Sequence, residues 1–304
     1  MYKMTTSAAA IVVALFCGSA FAADLPSVKS APAIIPPPSP LWTGFYGGIN
    51  IGGSFGGGNV SSSARDLFDD SVGLSVFAVP TAFGAASAAA ASNSASLNNS
   101  GIIGGGQIGY NYQFYERFVA GLEADIQGTN LSSTTTALGG AVEGATGVPF
   151  LSASTYSRKL DYLGTVRGRV GYLVTPTLLV YATGGLAWAN VGLSNSLFQT
   201  GLDPLGRVGA SQTVGAFNDT RTGWTAGAGA EWMFLPNWSA KLEYLYYDLG
   251  NVNTYVGAAG VDPAGAALYA AALNSSTRFD GHIVRVGVNY HFHWGAAAPV
   301  LAKY

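Results

Sequence analysis

Cysteine occurs once in these 304 residues, at Cys17, so a chain that loses its first residues has neither a disulfide nor a thiolate metal site. Charge is also scarce. Fourteen Lys and Arg face 16 Asp and Glu, for a net charge of −2, which argues against nucleic acid as a partner. Histidine appears only three times, as His282, His291 and His293. Beyond the N-terminus no long uninterrupted apolar run exists, which excludes a bundle of membrane-spanning helices. Yet 49% of the chain is hydrophobic and 12% aromatic, and glycine occurs 42 times. For an exported chain of this kind the physical solution is a closed sheet in a membrane, where every backbone group pairs with a neighbouring strand.

Export is read from residues 1–22. Lys3 provides the positive start, Ala8 to Phe16 the apolar stretch, and Ala20-Phe21-Ala22 a small-x-small cleavage site. That apolar stretch is short of the ~20 residues a spanning helix needs. Bulky Phe16 before Cys17 speaks against lipidation. Residues 23–41 are proline-rich and read as a periplasmic spacer. The barrel is expected over 42–292, followed by a periplasmic tail, 293–304.

The barrel expectation rests on alternation. From Phe118 to Thr129 one face carries Phe118, Ala120, Leu122, Ala124 and Ile126, and the other carries Glu123, Asp125 and Gln127. Segments near 45–55, 102–114, 160–172, 178–188, 224–232, 238–246 and 284–292 repeat the pattern. The fifth is the least regular, because Leu179 and Ala187 fall on its polar face. Each is about as long as the ~9–11 residues of a tilted membrane strand. Three connections are tight, at 115–117, 175–177 and 235–237, whereas 56–100, 129–158, 191–221 and 249–280 read as long loops. Short turns on one side and long loops on the other match an outer-membrane barrel with periplasmic turns. Three-residue turns would pair Phe114 with Phe118, Val174 with Leu178 and Phe234 with Trp238. The last register sets Glu231 opposite Lys241, a favourable charge pair. Aromatics including Trp42, Phe45, Tyr112, Phe114, Tyr172, Trp188, Trp238, Tyr290 and Phe292 lie near segment ends, where interfacial girdles belong.

The motifs LWTGFYGGINIGG (41–53), GGGQIGYNYQ (104–113), GLEADIQGT (121–129), GTVRGRVGY (164–172), TGWTAGAGAEW (222–232), PNWSAKLEYLYYDLG (236–250) and RVGVNYHF (285–292) resemble the small Gram-negative porin-family or outer-membrane immunogenic proteins. VYATGGLAW (180–188) belongs with them. The resemblance implies an all-β fold: an eight-stranded antiparallel transmembrane up-and-down β-barrel of the OmpA type, made with a cleaved signal peptide. It implies an outer-membrane location and an envelope component and surface antigen, with no cofactor and no enzymatic chemistry. The implied partners are outer-membrane lipid and lipopolysaccharide, the barrel-assembly machinery, and a host surface reached through the loops. Such barrels end on an aromatic strand, here at Phe292, although this sequence runs on to Tyr304.

Other motifs carry less. Gly104-x-Gly106-x-x-Gly109 matches a dinucleotide fingerprint and Gly52-x-Ser54-x-Gly56 a nucleophile elbow, but both continue strands and neither precedes a helix. His282 falls near the outer rim, where a lipid-modifying barrel would keep a His-Ser pair, but no serine can be placed beside it. His291 and His293 are too few ligands for a metal. The informative set is Glu123, Asp125, Asp161, Arg167, Arg169, Glu231, Lys241, Glu243 and Arg285, all on the inward parity. In a barrel of about eight strands these fill the interior as a self-cancelling plug. The alternative is a narrow diffusion channel lined by the same residues. Glu123 and Asp125 are expected to face Arg167 or Arg169. The Ala-, Ser-, Gly- and Asn-rich loops read as mobile, with adhesion through their tips as the functional alternative.

Overall fold

The computed structural model describes residues 41–69, 80–262, 265 and 267–292; the expected signal peptide, the spacer up to Pro40 and the tail lie outside them. Eight strands form a closed antiparallel barrel in simple chain order: β1 (Gly44–Asp69), β2 (Asn93–Phe114), β3 (Phe118–Val142), β4 (Pro149–Thr175), β5 (Leu178–Gly201), β6 (Ser211–Leu235), β7 (Trp238–Val261) and β8 (Ala267–Phe292). β8 closes the ring on β1, from Phe45↔Phe292 upward. One helix, α1 (Phe83–Ala91), lies between β1 and β2.

Nearest the short turns the alternation works as expected. Ile49, Ile51, Ile108, Leu122, Ile126, Val170, Leu186, Leu242 and Val286 point outward and are exposed, forming a band for lipid. Below it, edge-to-face pairs Phe45–Tyr110, Phe118–Tyr172 and Trp238–Tyr290 build an aromatic girdle at the short-turn end. Trp42 does not join them. It is 1% exposed, folded under the barrel, and its indole Nε1 donates to the Pro176 carbonyl at 3.0 Å.

The strands are far longer than a membrane requires, running from 22 to 27 residues. Most of the expected loops at 56–100, 129–158, 191–221 and 249–280 are therefore barrel wall. The period of two persists there with its polarity reversed. In β4, Lys159, Ser157 and Thr155 lie on the outside while Leu160, Tyr156 and Phe150 are buried inside. In β7, Asn251 and Asn253 face out and Val252 and Val256 face in. Beyond the lipid band the outer face carries many Ser, Thr and Asn side chains, with Leu138, Val142, Leu151, Val214 and Tyr255 exposed among them, and the lumen can be apolar. Short Ser, Thr, Asn and Ala side chains write this inverted pattern faintly, which is why it reads as loop.

Bulges accompany the reversal. In β4, Leu160 pairs with Val191 and Tyr162 with Asn190, leaving Asp161 as the extra residue. A one-residue insertion turns every following side chain to the other face. Arg167 and Thr165 below it are buried on odd numbers, Leu160 and Arg158 above it on even ones. A second irregularity between Asp248 and Asn251 switches β7, with Gly250 at φ +78°, a value glycine adopts without strain. At the short-turn end Phe114↔Phe118 pairs as expected. The other two turns do not, because Val174 and Phe234 are extra residues of ladder shifts. The pairs formed are Thr175↔Leu178 and Leu235↔Trp238.

The first connection is not a free loop either. Helix α1, rich in alanine and so intrinsically helix-forming, is buried through Phe83, Ala86, Ser87, Ala88, Ala90 and Ala91. It packs against β1, β3, β4, β5 and β8 across the outer mouth. Ser87 Oγ donates to Gln199 Oε1 at 2.8 Å and Gln199 Nε2 returns a bond to the Ser87 carbonyl at 2.8 Å. Phe83 packs on Phe150, Leu268 and Tyr269. Deleting 60–95 therefore removes parts of two strands along with the helix. The refolded deletion protein is expected to lose the heat-modifiable fast band on a gel, and a retained band would show that the upper wall is dispensable.

Candidate functional site: the barrel lumen

The lumen is filled in layers. Its floor, at the short-turn end, is apolar, made by Trp42, Val119, Leu173, Leu179, Tyr181 and Met233. Leu179, which disturbs the polar face in the sequence, belongs to this floor.

Above the floor lies the charge layer. Arg167 Nη2 reaches Glu123 at 2.5 Å and Asp125 at 2.7 Å, and its Nη1 reaches Glu243 at 3.1 Å. Arg285 Nη2 bridges Glu243 at 2.5 Å and Asp125 at 2.9 Å. Lys241 Nζ meets Glu123 at 2.9 Å, and Arg169 Nη2 meets Glu231 at 2.6 Å. All eight of these side chains are at most 2% exposed. Four carboxylates thus face four cations, and the layer is electrically balanced. Neutral donors finish it: Tyr46 OH donates to Glu123 at 2.7 Å, Tyr181 OH to Glu243 at 2.9 Å, and Asn289 Nδ2 to Glu231 at 2.7 Å. The Arg169 guanidinium also stacks over the Tyr181 ring, 4.0 Å from its centroid.

Eight of the nine inward charges read from the sequence thus come together, and the expected facing of Glu123 and Asp125 with Arg167 is found. Asp161 is the exception. The β4 bulge turns it out of the lumen, and it pairs with Lys159 at 2.7 Å on the partly exposed outer face. Glu231 does stand opposite Lys241 in the ladder, yet the two do not pair. Within a narrow lumen each reaches a partner across the barrel instead, Arg169 and Glu123 respectively.

Over the charges sits a second apolar layer containing Ile103, Leu131, Leu160, Leu163, Ala187, Leu245, Phe279 and Ile283. Ala187 is the other residue that blurs the fifth segment. Farther out come Val60, Leu97 and Tyr156, and then α1. Part of the second apolar layer, Leu131 and Phe279, and all of the next, Val60, Leu97 and Tyr156, lie in stretches whose weak alternation reads as loop. His291, 3% exposed, joins the charge layer through Ser239 Oγ at 2.9 Å, while Ser239 also reaches Glu231 at 2.5 Å. His282 stands outside, stacked on Phe55, with its Nδ1 2.6 Å from the Tyr244 hydroxyl. Among the described residues no His, Cys, Asp and Glu group is arranged to hold a metal ion.

The energetics separate the two kinds of ion pair. Removing one partner of a buried pair leaves a desolvated charge behind, at a cost of about 3–5 kcal/mol, whereas an exposed pair is worth about 0–1 kcal/mol. Arg167→Met is expected to lower the stability of the refolded protein in urea by the larger amount. Asp161→Asn is expected to stay within the smaller one, and equal effects would contradict the layer.

A model of the outer membrane protein beta-barrel domain matches residues 8–292. The chain is 37% identical, over 287 residues, to the 31 kDa outer-membrane immunogenic protein of Brucella melitensis, covering 93% of this chain and 98% of that one. The Brucella suis protein of the same name matches equally. A 22 kDa outer membrane protein of Rhizobium leguminosarum is 34% identical over 148 residues, covering 47% of this chain and 52% of that one. Among solved structures, OprG from Pseudomonas aeruginosa aligns over 82% of this chain and 97% of its own, at 11% identity and a TM-score of 0.31, a likeness too slight to bear on function. With eight closed strands, an apolar outer band and a match spanning nearly its whole length, this chain belongs to the outer membrane protein beta-barrel domain family and is an outer-membrane protein.

Proposed function

We propose that the protein is a structural component of the outer membrane whose lumen is plugged and whose long outer wall is displayed at the cell surface as an antigen. The observation that carries the plug is the stack of layers: an apolar floor, a balanced charge layer, a second apolar layer and helix α1. Water and small solutes need a continuous polar path, and two separate apolar layers interrupt it. The antigen reading is supported by the relatives named outer-membrane immunogenic proteins and by the Ser-, Thr- and Asn-rich outer face above the lipid band. Lipid and lipopolysaccharide would contact the apolar band, and the assembly machinery would insert the barrel. Catalysis has no support at His282, whose ring is occupied by Phe55, Tyr244 and Tyr246.

Two measurements test this. The refolded protein in a planar bilayer is expected to show no stepwise conductance; reproducible open steps that change in Arg167→Met would establish the channel instead. An epitope inserted between Ala145 and Thr146, in the β3–β4 connection, is expected to bind antibody on intact cells. Labelling only after lysis would place these tips inside the envelope and overturn surface display.

A further inference from the structure

The lipid-facing band of the barrel is not evenly convex. On β6 the outward residues run Trp224, Ala226, Ala228, Ala230 and Trp232, so two exposed indoles bracket a low stretch of alanine. The neighbouring strands are small at the same level. Ala182 of β5 stands opposite Ala228, and Ala240 of β7 stands opposite Trp232. Larger side chains rise around this floor, and two hollows result. The larger encloses about 770 Å³ over Ala230 and Ala240, between Leu178 and Trp232 on one side and Ile49 and Val288 on the other. The smaller encloses about 460 Å³ over Ala182 and Ala228, with Phe118, Tyr172 and Val180 as walls. Lys241 is the one charged residue along either, and it turns its ammonium inward to Glu123 at 2.9 Å.

What fills these hollows follows from where they lie. The chain is an outer-membrane protein, and both hollows open on the band that faces hydrocarbon. In hydrocarbon, covering an apolar surface brings no hydrophobic gain, so close packing decides what stays. Lining atoms without neighbours forfeit their dispersion contacts, and the occupant must match the shape. A second barrel would bring a convex wall that bridges the hollows without entering them. A flexible acyl chain is narrow enough to lie along them, and their volumes fall within the ~300–1,000 Å³ of sites that hold small molecules. Ala228 and Ala230 are two positions apart on one face, about 7 Å, so both hollows lie within reach of one lipid with paired chains. The larger hollow runs down to Leu178, the first residue of β5 after the tight turn. Trp232 beside it is placed where interfacial indoles meet lipid head groups.

We propose that the two hollows across β5, β6 and β7 hold the acyl chains of one diacyl glycerophospholipid from the leaflet at the short-turn end, with its head group beside Trp232. The choice of leaflet rests on the reading above, in which the long wall stands at the cell surface. The short turns then face the periplasm, and the leaflet on that side supplies glycerophospholipid, whereas the outer leaflet supplies many-chained lipid A.

The test is native mass spectrometry of the protein extracted from outer membranes in a mild detergent. The wild type is expected to keep a single diacyl phospholipid at a collision energy that strips all other lipid. A variant with both hollows filled, Ala228→Phe with Ala230→Phe, is expected to lose it. Gly53→Leu is expected to keep it, because it adds bulk to the same band at a place where a Cβ meets nothing within 4 Å. A wild type without lipid, equal retention in the filled variant, or loss in Gly53→Leu as well overturns the proposal. Retained lipid A overturns the assignment to phospholipid. Should the filled variant fail to fold, wild-type crystals grown with a phospholipid brominated in its chains decide the matter. Anomalous peaks over Ala228 and Ala230 support the site, and their absence refutes it. The epitope between Ala145 and Thr146 reports orientation separately, so a groove without lipid and a wall hidden from the surface give different results.

Discussion

Closing eight strands into a ring fixes the width of the lumen, and every inward side chain must then be accommodated by the others. An eight-stranded barrel has room for side chains and little else. Charges placed on that inner face cannot be solvated, so each must find an opposite charge across the lumen. Glu123 illustrates the result: it meets Arg167 from the adjacent strand and Lys241 from the far side, and takes a hydrogen bond from Tyr46. The interlock ties β1, β3, β4, β6, β7 and β8 together through their side chains, in addition to their backbone ladders. The narrowness that forces the pairing also removes the path a solute would need.

The same wall crosses two solvents, and its inner and outer faces exchange character where it leaves the membrane. Within lipid the outer face is apolar and the inner face charged. Beyond lipid the outer face carries Ser, Thr and Asn and the inner face carries Leu, Val and Phe. The irregularities at Gly128–Leu131, Leu160–Tyr162 and Asp248–Asn251 lie near this boundary. In β4 and β7 they shift the inward parity, so that each strand continues beyond the irregularity with its other face turned inward. The part beyond the lipid band is thus packed inside the same eight strands, with apolar clusters and α1 across its end.

Membership of the outer membrane protein beta-barrel family, a 37% identity to an immunogenic Brucella protein and the filled lumen fit one physical role. In the proposed reading, a plugged cylinder anchors a tall wall at the cell surface.

How much of this was legible depends on side-chain size. In the membrane half, large apolar residues alternate with charges, and Phe118–Thr129 alone marks a strand with one greasy face. The tight turns and the expectation of export point that greasy face to lipid, and the closed barrel exposes it on the outside. Eight of nine interior charges followed from parity. Asp161 did not, because a bulge leaves no mark in composition, and Leu179 and Ala187 looked like defects until the floor and the cover gave them places. Trp42 read as a girdle residue and proved to be the underside of the plug. By itself the sequence determined the barrel, its strand number and which face is charged, since these depend on a period of two that each segment carries locally. Only the tertiary structure decided the partners within the charge layer, the height of the wall and the place of Asp161 on its outer face. Those are set by contacts across the lumen between residues far apart in the chain, and no local pattern encodes them.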